Sequence, residues 1–160
     1  MTIEAGVTVN VNADKAIYVS GTLIAQGTSS SKITFTSSQS SKAAGDWGEI
    51  KYFSTAVSAT FDNDGDYVSG SILKYCTIEY GSGIELDAGM PFIDNCIIKY
   101  HSGNAINGNA GSNVTNRIEN NTISNNSGSA INMSSSLIIL NNIINNNTSN
   151  NEAAIKCSGT

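Results

Sequence analysis

The chain has 160 residues, 39% of them hydrophobic and 13% charged, with a formal net charge of −5. That length fits one domain with a continuous core, and the acidic balance argues against nucleic acid, which rewards clustered Lys and Arg. No run approaches the ~18 apolar residues of a membrane span, and Met1-Thr2-Ile3-Glu4-Ala5-Gly6 has neither the basic region nor the apolar stretch of a signal peptide.

The first half reads as short strands. Val7-Thr8-Val9-Asn10-Val11, Ala16-Ile17-Tyr18-Val19, Leu23-Ile24, Ile33-Thr34-Phe35-Thr36 and Glu49-Ile50-Lys51-Tyr52-Phe53 alternate with the period of a pleated strand. Trp47, at the start of the last of these, is expected to pack over the surface. Two longer excursions, residues 37–46 and 61–69, interrupt the series. The second contains Asp62-Asn63-Asp64-Gly65-Asp66. Alternating carboxylates around a glycine look like the opening of a calcium loop, since hard cations prefer clustered oxygen ligands. Asp62, Asp64 and Asp66 are therefore candidate Ca2+ ligands, although Leu73 stands where the closing glutamate of such a loop belongs. The plainer reading is an exposed turn between strands. No other cofactor is expected.

The second half repeats. Leu73-Lys74-Tyr75-Cys76-Thr77-Ile78, Ile93-Asp94-Asn95-Cys96-Ile97-Ile98, Ile118-Glu119-Asn120-Asn121-Thr122-Ile123 and Ile139-Leu140-Asn141-Asn142-Ile143-Ile144 superpose, at steps of 20, 25 and 21 residues. A second anchor follows each copy: Gly83-Ile84, Ala105-Ile106, Ala130-Ile131 and Ala154-Ile155, at steps of 22, 25 and 24. Periods of this size belong to leucine-rich repeats or to β-helices. Leucine is rare here, and no window sustains a 3.6-residue period. The reading is an all-β, right-handed parallel β-helix of about six coils, a solenoid rod on the order of 30 Å long.

That register makes its own assignments. Tyr75, Asn95, Asn120 and Asn141 share one position, and Cys76, Cys96, Asn121 and Asn142 share the next. Asn tolerates the left-handed conformation of tight turns and can bond neighbouring backbone, so both columns read as structural. Lys74, Asp94 and Glu119 fall into one ladder, and Glu79 with Lys99 into another. Opposite charges stacked this way form modest surface pairs. Cys76 and Cys96 stand close enough for a disulfide, but their parallel β-carbons suit reduced thiols as well. Cys157 is the odd third.

Thr2-Ile3-Glu4-Ala5-Gly6-Val7-Thr8-Val9, Gly21-Thr22-Leu23-Ile24-Ala25-Gln26-Gly27-Thr28, Ile33-Thr34-Phe35-Thr36-Ser37, Asp46-Trp47-Gly48-Glu49-Ile50 and the stretch from Tyr67 to Gly81 resemble right-handed β-helix repeat proteins of the broad pectate-lyase-like superfamily. The resemblance covers nearly the whole chain. It implies a bacterial-type secreted or cell-surface location, for which this chain carries no signal peptide. It also implies lyases, hydrolases or epimerases of acidic polysaccharides as possible activities. Their chemistry needs a base beside a positive charge, or paired carboxylates flanking the glycosidic bond. Neither constellation is evident: there is no Asp-Asp pair, His101 is followed by Ser102, and Arg117 is isolated.

No catalytic residue is therefore assigned. The best polar cluster comprises Glu79, Lys99, Tyr80, Tyr100, His101 and, around the next turn, Glu85. Aromatic faces beside carboxylates and amides are what a polysaccharide- or oligosaccharide-binding groove requires. The expected function is a non-catalytic module, structural or carbohydrate-binding. The alternative is a polysaccharide lyase or epimerase whose site is incomplete or shared with a neighbouring chain. Solenoids normally need capped ends, and neither end shows an evident cap. Homo-oligomers formed through the coil ends, or a native protein longer than this chain, are expected on that ground.

Overall fold

The computed structural model describes residues 1–111, 116–148 and 153–158, with Ala110 described by its backbone alone. Six coils of three strands each follow one another. The first is β1 (Thr2–Ile3), β2 (Thr8–Val11) and β3 (Ile17–Val19), and the second is β4 (Ile24–Gln26), β5 (Ile33–Ser37) and β6 (Glu49–Tyr52). A hairpin, β7 (Thr60–Phe61) and β8 (Tyr67–Ser69), then leaves the rod. The third coil is β9 (Ile72–Lys74), β10 (Cys76–Glu79) and β11 (Gly83–Ala88), and the fourth β12 (Phe92–Asp94), β13 (Ile97–Lys99) and β14 (Ile106–Ala110). The fifth is β15 (Arg117–Glu119), β16 (Thr122–Ser124) and β17 (Ile131–Met133), and the sixth β18 (Ile138–Leu140), β19 (Ile143–Asn145) and β20 (Ile155–Cys157).

Equivalent strands of successive coils pair in parallel, giving three six-stranded sheets. The first strand of every coil builds sheet A, the second sheet B and the third sheet C. This is a parallel β-helix, and its register is the one the repeats predict. In sheet B one column runs Val9, Phe35, Ile78, Ile98, Ile123 and Ile144. In sheet C it runs Ile17, Ile50, Ile84, Ile106, Ile131 and Ile155. Sheet A contributes Ile3, Ala25, Leu73, Ile93, Ile118 and Ile139. Ile78, Ile98 and Ile123 are fully buried. Each such side chain contributes about 1.5–3 kcal/mol by leaving water. Since no single coil can bury its inward face alone, stability comes from stacking.

Two sharp corners bound sheet B. At the first, Tyr75, Asn95, Asn120 and Asn141 have φ of 49°, 55°, 57° and 53°; at the second, Tyr80, Tyr100, Asn125 and Asn146 have 64°, 59°, 56° and 51°. One left-handed residue per corner turns the chain without a longer loop. The residue after it points inward and ties coil to coil. Asn121 Oδ1 accepts the Cys96 N–H at 2.8 Å while its amide donates to Ile93 O at 3.0 Å. Asn142 repeats the pattern on the Asn121 N–H and Ile118 O, at 2.9 and 2.7 Å. Buried corner backbone is thereby satisfied, which an interior turn must achieve. Cys96 holds the same place one coil earlier, with Sγ 3.4 Å from the Cys76 N–H. Both cysteines are free thiols, as is exposed Cys157.

Trp47 corrects its expectation. It lies in the interior cluster, 1% exposed, with Nε1 donating to Glu79 O at 2.9 Å. Gly81 makes the room: a Cβ there would sit 2.7 Å from Trp47 Cε2 and 2.6 Å from Gly48 O.

The β7–β8 hairpin folds onto sheet A, where Phe61, Tyr67, Ile24 and Ile72 pack with Phe92 in a second apolar cluster. Phe61 and Phe92 meet edge to face at 5.2 Å, and the Arg117 guanidinium lies 5.2 Å from the Phe61 ring centre.

Candidate functional site

Residues that alternate along a strand face outward between the interior ones, so each outer surface is also a set of columns. On sheet B, Glu79 and Lys99 are register partners, and Lys99 Nζ stands 3.3 Å from Glu79 Oε2. Just beyond, at the left-handed corner, Tyr80 and Tyr100 stack with ring centres 5.3 Å apart and planes inclined by 22°. The corner conformation positions both rings: a left-handed residue at the same place in consecutive coils aims its side chain the same way.

The first excursion supplies Lys42, a partner that the repeat could not reveal. Lys42 Nζ lies 5.9 Å from the Tyr80 ring centre and donates to Thr36 Oγ1 at 2.9 Å. Thr36, on β5, donates in turn to Glu79 Oε1 at 2.9 Å. Lys99 Nζ lies 5.1 Å from the Tyr100 ring centre. Two stacked phenols are thus flanked by ammonium groups, one on each ring, with Glu79 joining the two through Thr36. Cation–π attraction and these bonds hold the platform in one arrangement. Tyr100 is 37% exposed and Tyr80 about half-buried, so the platform faces solvent.

His101 does not join them. It is fully buried and occupies the inward position after the corner, where the next coils carry Asn126 and Asn147. Its backbone N–H donates to Asn126 Oδ1 at 3.0 Å, and its Nε2 meets Ile78 O at 3.2 Å. Burial pushes its pKa down to about 4, against the opposing influence of nearby backbone and Glu79. A ring placed inside cannot contact a ligand outside.

Glu85 is also separated from the platform. It lies on sheet C, between Lys51 and Asn107 in an outward column that runs Tyr18, Lys51, Glu85, Asn107, Asn132 and Lys156. Asn107 donates to Glu85 Oε2 at 2.7 Å, and Asn104 and Asn132 both donate to Asn107 Oδ1, at 3.0 and 2.9 Å.

The charged ladder of sheet A forms as the register requires. Lys74 Nζ is 2.8 Å from Asp94 Oδ2, and Arg117 pairs with Glu119 on its own strand. Asp94 is only 3% exposed. Burial pushes its carboxyl up, but hydrogen bonds from Asn120, Lys74 and Asn95, with the Lys74 charge, outweigh that and hold it below the usual value.

Asp62, Asp64 and Asp66 form the turn of the β7–β8 hairpin. Asp62 Oδ1 accepts the backbone N–H groups of Asp64 and Asp66 at 3.0 and 2.9 Å, which closes the turn on itself. Asp64 and Asp66 line a cleft shared with Lys74, Asp94, Arg117 and Glu119. Among the described residues, no three His, Cys, Asp or Glu side chains gather as a metal site would need.

Architecture thus defines a parallel β-helix with an aromatic, ammonium-flanked platform on one corner. The chain matches no family model, no curated protein and no solved structure.

Proposed function

We propose that the protein is a non-catalytic β-helix module that binds carbohydrate on the outside of its rod, as a member of the pectate-lyase-like superfamily. The observation that supports this is the stacked Tyr80–Tyr100 pair. Rings stacked at one corner offer an exposed aromatic surface to the C–H side of a sugar ring, while neighbouring charged and amide groups suit its hydroxyls. Lys99 and Glu79 neutralise one another and brace the tyrosines. A base held in that way suits a binding surface better than proton transfer.

A secreted or cell-surface setting accords with such binding and is part of the same proposal. So is head-to-tail association, since Ile155, the sixth-coil member of the interior column of sheet C, is 40% exposed. Light scattering that finds a monomer at every concentration would remove the association alone.

The test of carbohydrate binding is a glycan array followed by calorimetry on retained oligosaccharides. Tyr80→Ala and Tyr100→Ala should each weaken binding about fivefold, the loss of ~1 kcal/mol of ring stacking. Retention that is unchanged in both variants, or no retention of any glycan, removes the reading.

A further inference from the structure

Sheet C carries a longer feature than the platform. Three cavities lie along it, of about 350, 250 and 310 Å³. The first two share Glu49 and Ser82 as walls, and the second and third share Lys51, Glu85 and Asn107. They are therefore one trough. It starts beside Tyr18 in the first coil and reaches Asn132 in the fifth, following the rod axis.

Its floor is the outward column already described. Strand spacing repeats each step at ~4.8 Å, so an extended chain laid along the axis meets a polar group at every coil. Asn104 and Asn132 both donate to Asn107, which donates to Glu85, so their amides are oriented before any ligand arrives. Such preorganisation lowers the entropy lost on binding.

Charge then selects the chain. The trough is walled by Asp14, Glu49, Glu85 and Asp87 but only by Lys15 and Lys51. None of these six belongs to the three ion pairs among the described residues. Lys51 Nζ lies 5.5 Å from the Phe53 ring centre, whose face attracts the ammonium. The unpaired surplus is negative, and the chain as a whole carries −5. A polyuronate would meet repulsion along its length.

We infer that the sheet C trough binds an extended, amino-bearing oligosaccharide, its ammonium groups facing Glu49, Glu85 and Asp87 and its hydroxyls on the asparagine floor. This rests on the reading of the surface as carbohydrate-binding, and it reverses the charge of ligand that the superfamily resemblance implies.

Calorimetry of the full chain with three probes, a glucosamine tetramer, cellotetraose and tetragalacturonate, tests it. The glucosamine tetramer should bind tightest and lose affinity as salt rises. Glu85→Gln and Asp87→Asn should each weaken it about two- to fivefold, the range of an exposed ion pair. Lys51→Met should tighten it, so that two acidic variants and one basic variant move in opposite directions. Circular dichroism checks that each variant folds. Tightest binding of cellotetraose or tetragalacturonate, or indifference to all three substitutions, overturns the amino-sugar assignment while leaving carbohydrate binding standing. Silence from all three probes removes the trough assignment, and the glycan array decides carbohydrate binding separately.

Discussion

His101 Nε2 lies 3.2 Å from the carbonyl oxygen of Ile78, where Asn126 one coil later sets its amide 3.2 Å from the carbonyl oxygen of Ile98. Histidine here imitates asparagine, with Nε2 carrying the proton as the acceptor demands. The imitation is incomplete, because Nδ1 is buried without a partner.

Acid should therefore loosen the rod through this residue. The folded pKa of about 4 lies below the ordinary 6.5. Stability from neutral His101 is fully present above pH 6.5 and is lost as pH falls through 4, since only the unfolded chain takes up the proton in that window. The loss is about 3 kcal/mol at most. Urea midpoints at pH 7 and pH 4.5 measure it. His101→Asn should fold, because Asn126 and Asn147 show the geometry works, and should flatten the midpoint across the window. A variant as acid-sensitive as the parent would place the effect elsewhere.

The thiols should separate by reactivity. Cys76 and Cys96 are buried, and the hydrogen bond to Cys96, with burial, holds the Cys76 thiol far above its ordinary value. Only thiolate reacts quickly. Ellman's reagent should titrate one thiol, Cys157, in the native protein and three after denaturation. Cys157→Ser should then abolish the native signal. Rapid reaction of two or more native thiols would contradict the buried ladder.

Calcium should leave the thermal midpoint unchanged. Asp62 Oδ1 already accepts two turn amides, and among the described residues no three His, Cys, Asp or Glu side chains gather as a metal site would need. A site with Kd far below the added concentration would raise stability by several kcal/mol, so a shift of several degrees in millimolar calcium would restore the site.

How much of this the chain announces depends on whether a feature repeats. The interior isoleucines and the left-handed corners recur in every later coil, so Ile78 or Asn120 could be placed from its period alone. His101 misled because its column changes residue type. The cue was the pair Tyr100-His101 standing where Asn125-Asn126 and Asn146-Asn147 stand later, a corner residue followed by an inward one. Lys42 gave no cue. It sits in an excursion that occurs once, and the direction in which a single loop folds depends on contacts such as Thr36 that no period encodes. Closeness in sequence places Glu85 beside the tyrosines, whereas the corner at Tyr80 carries the chain onto another sheet.

Adjacent residues Ile97 and Ile98 give the sharpest test of register. They are chemically identical, and only the pleat separates them. Ile98 is fully buried in the sheet B column between Ile78 and Ile123, while Ile97 faces outward between Thr77 and Thr122. Ile98→Ala should cost about 2–5 kcal/mol, because lost burial is joined by a cavity that stacked coils on both sides cannot collapse to fill. Ile97→Ala should cost about 1 kcal/mol or less, since its site is partly open to water and leaves no void. Urea denaturation of the two variants at pH 7 compares them directly. Equal losses, or the larger loss at Ile97, would mean that the strand is displaced by one residue, and every outward column, platform and trough included, would then turn to the other face.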